Sequence, residues 1–291
     1  MKNWFVKAAS LFMVAMVVLV SSCEEEERLT AEDTLAISEE SVSDAYFEDV
    51  DDLSSFVVFE GNYEQLGGRV AQDGRTAGTD ERITDCSSIV ISFSEGSNAE
   101  SGVITIDFGT GCTVRGNTRS GKLILTYSGG PRGTIGFTVV TTFENYKING
   151  IELKGTRTVE RIAASIETNI KHSITLVDGE AIWPNNGGTA TRNAEFTREW
   201  VRNPADEKVI VEGNASGVTR RGRNYEMNIT DPLVYKRACM LTEGIYMAVQ
   251  GTKVFTKESK QIVIDYGDGE CDKEVTITVN GATRSVNIGN N

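Results

Sequence analysis

The chain holds one histidine, four prolines and five cysteines in 291 residues, and each scarcity closes something off. A single histidine, His172, excludes histidine-rich metal centres. No Gly-x-Ser-x-Gly elbow occurs, because Gly213-Asn214-Ala215-Ser216-Gly217 sets its serine one place late. Neither a Gly-x-Gly-x-x-Gly run nor a phosphate loop follows a strand-like segment. Positive excess is also missing: residues 61–291 carry 26 bases against 28 acids, too even a balance to displace counterions from a nucleic acid. The one tight basic cluster, Arg220, Arg221 and Arg223, fits a hairpin turn.

What is there begins at the N-terminus. Lys2 and Lys7 precede an apolar run from Ala8 to Val20, and small Ser21 and Ser22 close it, the order of a signal peptide. Thirteen residues fall short of the roughly 20 that a membrane-spanning helix needs. Val20-Ser21-Ser22-Cys23 resembles the lipobox of bacterial lipoproteins. That resemblance implies cleavage before Cys23 and acylation of its sulfur and amine, with membrane lipid as the first partner. Several buried acyl chains, at about 0.8 kcal/mol per methylene, make such an anchor stable.

Charge then concentrates in one stretch. Residues 24–60 hold 14 acids and one base, Arg28, so the formal charge of −13 belongs to this segment. Glu24, Glu25, Glu26 and Glu27 directly after Cys23 resemble the acidic export signal of surface-exposed lipoproteins in Bacteroidota, although the Ser, Lys or Gln that often precedes the acids is absent. The resemblance implies an outer-membrane protein facing the cell surface, with a periplasm-facing anchor as the alternative. Asp33-Thr34-Leu35 resembles the O-glycosylation sequon of the same group, in what reads as an exposed stalk.

Val42, Tyr46, Val50, Leu53 and Val57 recur at helical spacing, which predicts an amphipathic helix from Ser38 with its stripe on the body and its acids elsewhere. Beyond Cys86 the period becomes two. In Ser165 to Leu176 the apolar residues Ile166, Ile170, Ile174 and Leu176 alternate with polar ones, the mark of an antiparallel strand with one buried face. Asn149-Gly150, Asp178-Gly179 and Asn280-Gly281 are expected hairpin turns, and Asn185 to Gly188 a longer one. The fold class is therefore mainly β, an antiparallel meander in the form of an open sheet, half-barrel or sandwich, with an N-terminal amphipathic helix.

An internal repeat supports the meander. Val103 to Cys112 matches Gln261 to Cys271 as apolar-Ile-Asp-aromatic-Gly followed by a cysteine. Each of these cysteines has a predecessor one hairpin earlier, so Cys86 to Cys112 and Cys239 to Cys271 are the expected bridges among three possible pairings. The expected organisation is a signal peptide at 1–22, an acidic tether at 23–37, the helix at 38–60 and a Gly-rich polar linker at 61–85. A β domain at 86–291 follows, with the repeat at 86–128 and 239–288. This combination resembles uncharacterised β-rich lipoproteins of Bacteroidota, which implies location and architecture and no activity.

Chemistry is sparse. His172 is in phase with Ile170 and Ile174, so a core or cavity-facing imidazole is expected rather than a catalytic base. Asp265, Asp268 and Asp272 cluster near one turn, yet Gly267 and Gly269 stand where a calcium loop needs oxygen ligands. Trp183 and Trp200 are the candidate stacking surface for a glycan. No catalytic residue, cofactor or metal is assigned. The expectation is a lipid-anchored β ectodomain that binds or scaffolds a glycan or protein partner, not nucleic acid. The alternatives are a hydrolase of glycans or peptides that uses two carboxylates, and an envelope lipid-handling protein with an apolar half-barrel cavity.

Overall fold

A computed structural model of the chain describes residues 29–60, 89–114, 116–164, 169–203, 205–245 and 247–287. The expected signal peptide, Cys23, Glu24 to Glu27, the linker and Cys86 lie outside these residues. The chain opens with helix α1 (Ala31–Glu60) and continues as strands β1 (Val90–Phe93), β2 (Gly102–Asp107), β3 (Cys112–Val114) and β4 (Asn117–Ser128). Then come β5 (Thr138–Ile148), β6 (Ile151–Ala164), β7 (Asn169–Ile182), β8 (Thr189–Val201), β9 (Lys208–Val218) and β10 (Asn224–Lys236). A short helix α2 (Arg237–Glu243) precedes β11 (Gln250–Lys257), β12 (Lys260–Asp268), β13 (Glu274–Val279) and β14 (Ala282–Asn287).

All the strands form one antiparallel sheet in which sequence neighbours are sheet neighbours, except that β3 pairs beside β2 on β4. Among the described residues β1 and β14 do not pair, so of the three expected forms the open sheet is the one adopted. Asn149-Gly150 and Asn280-Gly281 turn their hairpins with positive φ at both residues, as type I′ geometry requires. Asp178-Gly179 does not: it is a bulge inside β7, where the register to β8 slips between Leu176 and Gly179. Asp178 has φ of 51° and its N–H is taken by the Asn193 side chain, so the same dipeptide chemistry serves a bulge. In β9, Gly213 and Gly217 stand where a Cβ would lie 2.1 Å from the Glu195 carbonyl oxygen and 2.0 Å from that of Thr191, which explains the glycines of the failed elbow.

The repeat is structural. Ile104 and Ile106 in β2, and Ile262 and Ile264 in β12, are all buried. Asp107 and Asp265 each accept a hydrogen bond from the N–H two residues on, at Gly109 and Gly267. The same Asx turn closes β2 at Asp107 and, at Asp265, accompanies a bulge inside β12, where the register to β11 slips. Cys239 and Cys271 are bridged, but Cys239 sits on α2 rather than at a strand end. Cys112 is also a disulfide cysteine, and its expected partner Cys86 falls outside the described residues.

Helix α1 departs most from expectation. It starts at Ala31, not Ser38, because Thr30 and Asp33 form a capping box: the Asp33 N–H donates to Thr30 Oγ1 and the Thr30 N–H to Asp33 Oδ2. Residues assigned to the tether therefore belong to the helix, and Asp33 of the candidate sequon is buried, not in an exposed stalk. Val50, Leu53 and Val57 are buried as the stripe requires, but so are Phe47 and Val58 off the stripe, together with Asp33, Glu39, Glu40 and Asp51. The exposed side is a line of small residues, Ala31, Thr34, Ser38, Ser41 and Ala45. The acids point inward, the reverse of the expected pattern.

The sheet explains this reversal. Glu48, Asp49 and Asp51 lie within one helical turn, yet they meet Arg198 on β8, Arg119 on β4 and Arg157 on β6. Strands four places apart in a flat sheet are separated by about 19 Å. Reaching all three strands from one turn requires the sheet to curl around the helix as a trough.

Candidate functional site

Cations placed on the concave face hold α1 in the trough. Arg119 donates through Nε and Nη2 to both carboxylate oxygens of Asp49, at 2.9 and 2.7 Å. Arg157 does the same to Asp51, at 2.6 Å for each bond. Arg192 bonds Glu40 and also Asp44, while the Lys253 ammonium reaches Glu40 at 3.5 Å. At the N-terminal end of the helix, Lys257 and Lys260 both meet Asp33. Forked guanidinium to carboxylate pairs fix position as well as charge.

At Glu40 and Lys253 burial works against the charges, and pairing wins. Desolvation would raise the Glu40 carboxyl, but Lys253 and Arg192 hold it below its ordinary value. Burial likewise opposes the charge on Lys253, and Glu40 lifts it above the ordinary lysine range. Glu48 is different: desolvation comes first and the nearby Asp44 and Asp51 add to it, so its carboxyl stays raised despite Arg198.

Residue counting missed these cations because the body is neutral in sum. Phase was the usable signal. Arg192, Ala194, Phe196 and Arg198 share one face of β8, and Lys253 and Lys257 share that of Phe255 in β11.

Near the β8 C-terminal end, α2 and the strands enclose a pocket of about 580 Å³, within the usual range for small-molecule sites. Its walls are Trp200, Val209, Tyr235, Met240, Ile245 and Met247, joined by the charged side chains of Glu48 and Arg198. A smaller chamber of about 40 Å³ shares Glu48, Arg198, Val211 and Tyr235 with it. The Cys239–Cys271 bridge ties α2 to the turn after β12 and so fixes one wall.

Trp200 lines this pocket and stands edge-on to His172, with ring centroids 5.1 Å apart. Trp183 lies elsewhere. It flanks the opposite end of the β7–β8 hairpin, where Arg220 covers its ring at 4.7 Å. At about 3.3 Å per residue the two indoles are roughly 40 Å apart along the hairpin, so they do not form a shared stacking surface. His172 is buried on the concave face with neither ring nitrogen bonded to protein, and burial followed by Arg161 and Arg198 lowers its pKa to about 4.

No group of His, Cys, Asp or Glu among the described residues could hold a metal ion. In the aspartate-rich turn, Asp265 and Asp272 accept backbone N–H bonds from Gly267 and Glu274, which accounts for their placement. No helix among the described residues is long and apolar enough to cross a membrane. No protein-family model matches the chain, and neither a curated protein nor a solved structure matches it.

Proposed function

We propose that this chain is a lipid-anchored envelope protein, facing the cell surface, whose β ectodomain binds a small ligand in the pocket between α2 and the ends of β8 to β10. The observation that carries the reading is the pocket itself: about 580 Å³, walled by aromatic and sulfur-bearing side chains and framed by a disulfide-held helix. Anchoring rests on the lipobox at Cys23 and the display on Glu24 to Glu27.

Binding is favoured over hydrolysis because both acids of the pocket are engaged. Glu48 accepts from Arg198 and Glu207 from Arg237, each held as a counterion. Glu48, with its raised carboxyl, has the character of a general acid, but the other acid of the pocket lining, Glu207, is spent on Arg237, so the carboxylate pair that hydrolysis needs is not assembled. The trough is not a lipid cavity either, since α1 fills it and charged pairs line it.

The test is to purify the full chain from its native envelope and analyse co-purifying small molecules by mass spectrometry, beside Met240→Asp. A compound present with the wild type and lost with the variant is the expected result. Equal recovery from both would overturn the pocket as the site. Release from the membrane by Cys23→Ala tests the anchor separately, and continued attachment would contradict it.

A further inference from the structure

We infer that the pocket between α2 and the ends of β8 to β10 takes an uncharged, mainly hydrocarbon molecule that offers one acceptor oxygen, a ketone, ester or hydroxyl, to Tyr235. This rests on the reading of the pocket as a binding site and names what that site selects.

Charge in the lining is settled within the protein. Arg198 donates to Glu48 at 2.7 Å, Arg237 to Glu207 at 2.6 Å and Lys208 to Asp206 at 2.5 Å, while the Lys236 ammonium donates to the Gly269 carbonyl at 2.6 Å. A carboxylate entering here competes with Glu48 for Arg198, and an ammonium competes with Arg198 for Glu48. Either exchange strands a partly buried charge that already has its partner. The Arg237–Glu207 pair is the exposed one, at 56 % and 39 %, and a solvated pair gives an incoming ion little.

What the ion pairs leave is apolar. Val209, Val211, Met240, Leu241, Ile245 and Met247 line the space, and Leu241 is 69 % exposed. Taking such surface out of water is the main gain open to a ligand. The two thioethers adapt to a ring or a chain, and about 580 Å³ suits a molecule of drug size.

Tyr235 sets the place of the oxygen. It lines both the pocket and the small chamber, and among the described residues its hydroxyl has no hydrogen-bond partner. Burial, with Glu48 nearby, pushes the phenol well above the ordinary tyrosine range, so it stays an O–H donor. A buried hydroxyl without an acceptor is costly, and a neutral ligand oxygen supplies one. The Trp200 indole N–H, also in the lining, is a donor too, which again favours an acceptor on the ligand. A sugar brings more hydroxyls than these two groups satisfy, and a pure hydrocarbon leaves Tyr235 unmet.

The experiment uses the full chain in isolated envelopes, labelled by photoreactive probes of one skeleton that end in a ketone, a carboxylate, an ammonium or a methyl group, with the labelled peptides mapped by mass spectrometry. Label from the ketone is expected within residues 198–211 and 235–247, about tenfold above the carboxylate and the ammonium. Tyr235→Phe is expected to lower the ketone label several-fold and to leave the methyl probe unchanged. Equal labelling of these peptides by the ketone and either ion would overturn the exclusion of charge while leaving a binding pocket. Ketone label unchanged by Tyr235→Phe would overturn the assigned oxygen in the same way. Label by no probe in these peptides would overturn both readings.

Discussion

Arg157 and Asp51 are 106 residues apart in sequence, yet they meet through two parallel hydrogen bonds of 2.6 Å in the middle of the trough, the guanidinium 1 % and the carboxylate 5 % exposed. Such a pair gains little over well-packed apolar side chains, but removing one partner strands a buried charge. Asp51→Ala is therefore expected to cost about 3 to 5 kcal/mol in urea unfolding. The double variant Asp51→Leu/Arg157→Leu should recover most of that loss. A double variant no more stable than Asp51→Ala would mean that the pair contributes more than mutual neutralisation.

His172 gives a pH signature that no other imidazole can obscure, because the chain has only one. Burial, then Arg161 and Arg198, depress its pKa to about 4 from an ordinary 6.5. Between those values the unfolded chain binds the proton and the folded chain refuses it, so stability falls as pH drops from about 6.5 towards 4. The imidazole NMR resonance should titrate near 4, and His172→Phe should flatten the stability profile in that window. A midpoint near 6.5 would contradict the buried placement.

Asp33 acts lower on the pH scale. Burial alone would raise its carboxyl, but Lys257, Lys260 and the Thr30 cap hold it well below the ordinary carboxylate range. A depressed carboxylate contributes stability that is complete above the unfolded value near 4 and is lost as pH falls from there towards the folded value. Asp33→Asn should lower stability at neutral pH and leave a shallower acid slope below pH 4. An unchanged slope in acid denaturation would place the sensitive group elsewhere.

The Cys239–Cys271 bridge closes a span of 32 residues that contains the β11–β12 hairpin and holds α2 over the pocket. Cys239→Ser/Cys271→Ser is expected to lose about 2 to 4 kcal/mol. It should also change the fluorescence of Trp200 in the pocket, read in a Trp183→Phe background. Loss of stability with no spectral change would separate the bridge from the pocket wall.

Much of this architecture was legible beforehand for a physical reason: strand alternation and Asn-Gly turns are local, and they specify a meander without long-range information. The repeat was equally local, and Asp107 and Asp265 do accept the same backbone bond from the glycine two residues on. Helix α1 was misjudged because amphipathicity assumes that acids face water. Here the partner surface is itself charged, and only the inward phase of Arg157, Arg192 and Lys253 on separate strands reveals it. Asp178-Gly179 misled because a positive φ serves a bulge as well as a turn. Trp200 was singled out by residue type, but its separation from Trp183 needed the hairpin length. The pocket was invisible in the sequence, since α2, β8 and β10 contribute to it from distant segments.

Charge exchange at one buried pair tests most directly whether ion pairing seats the acidic helix in the basic trough. Asp49→Arg and Arg119→Asp are each expected to unfold the chain or to destabilise it by several kcal/mol, since either places like charges in contact. The combined variant should regain cooperative unfolding and most of the lost stability. If the double exchange is as unstable as the sum of the two single variants, the helix is not held by this pairing and the account of the trough is wrong.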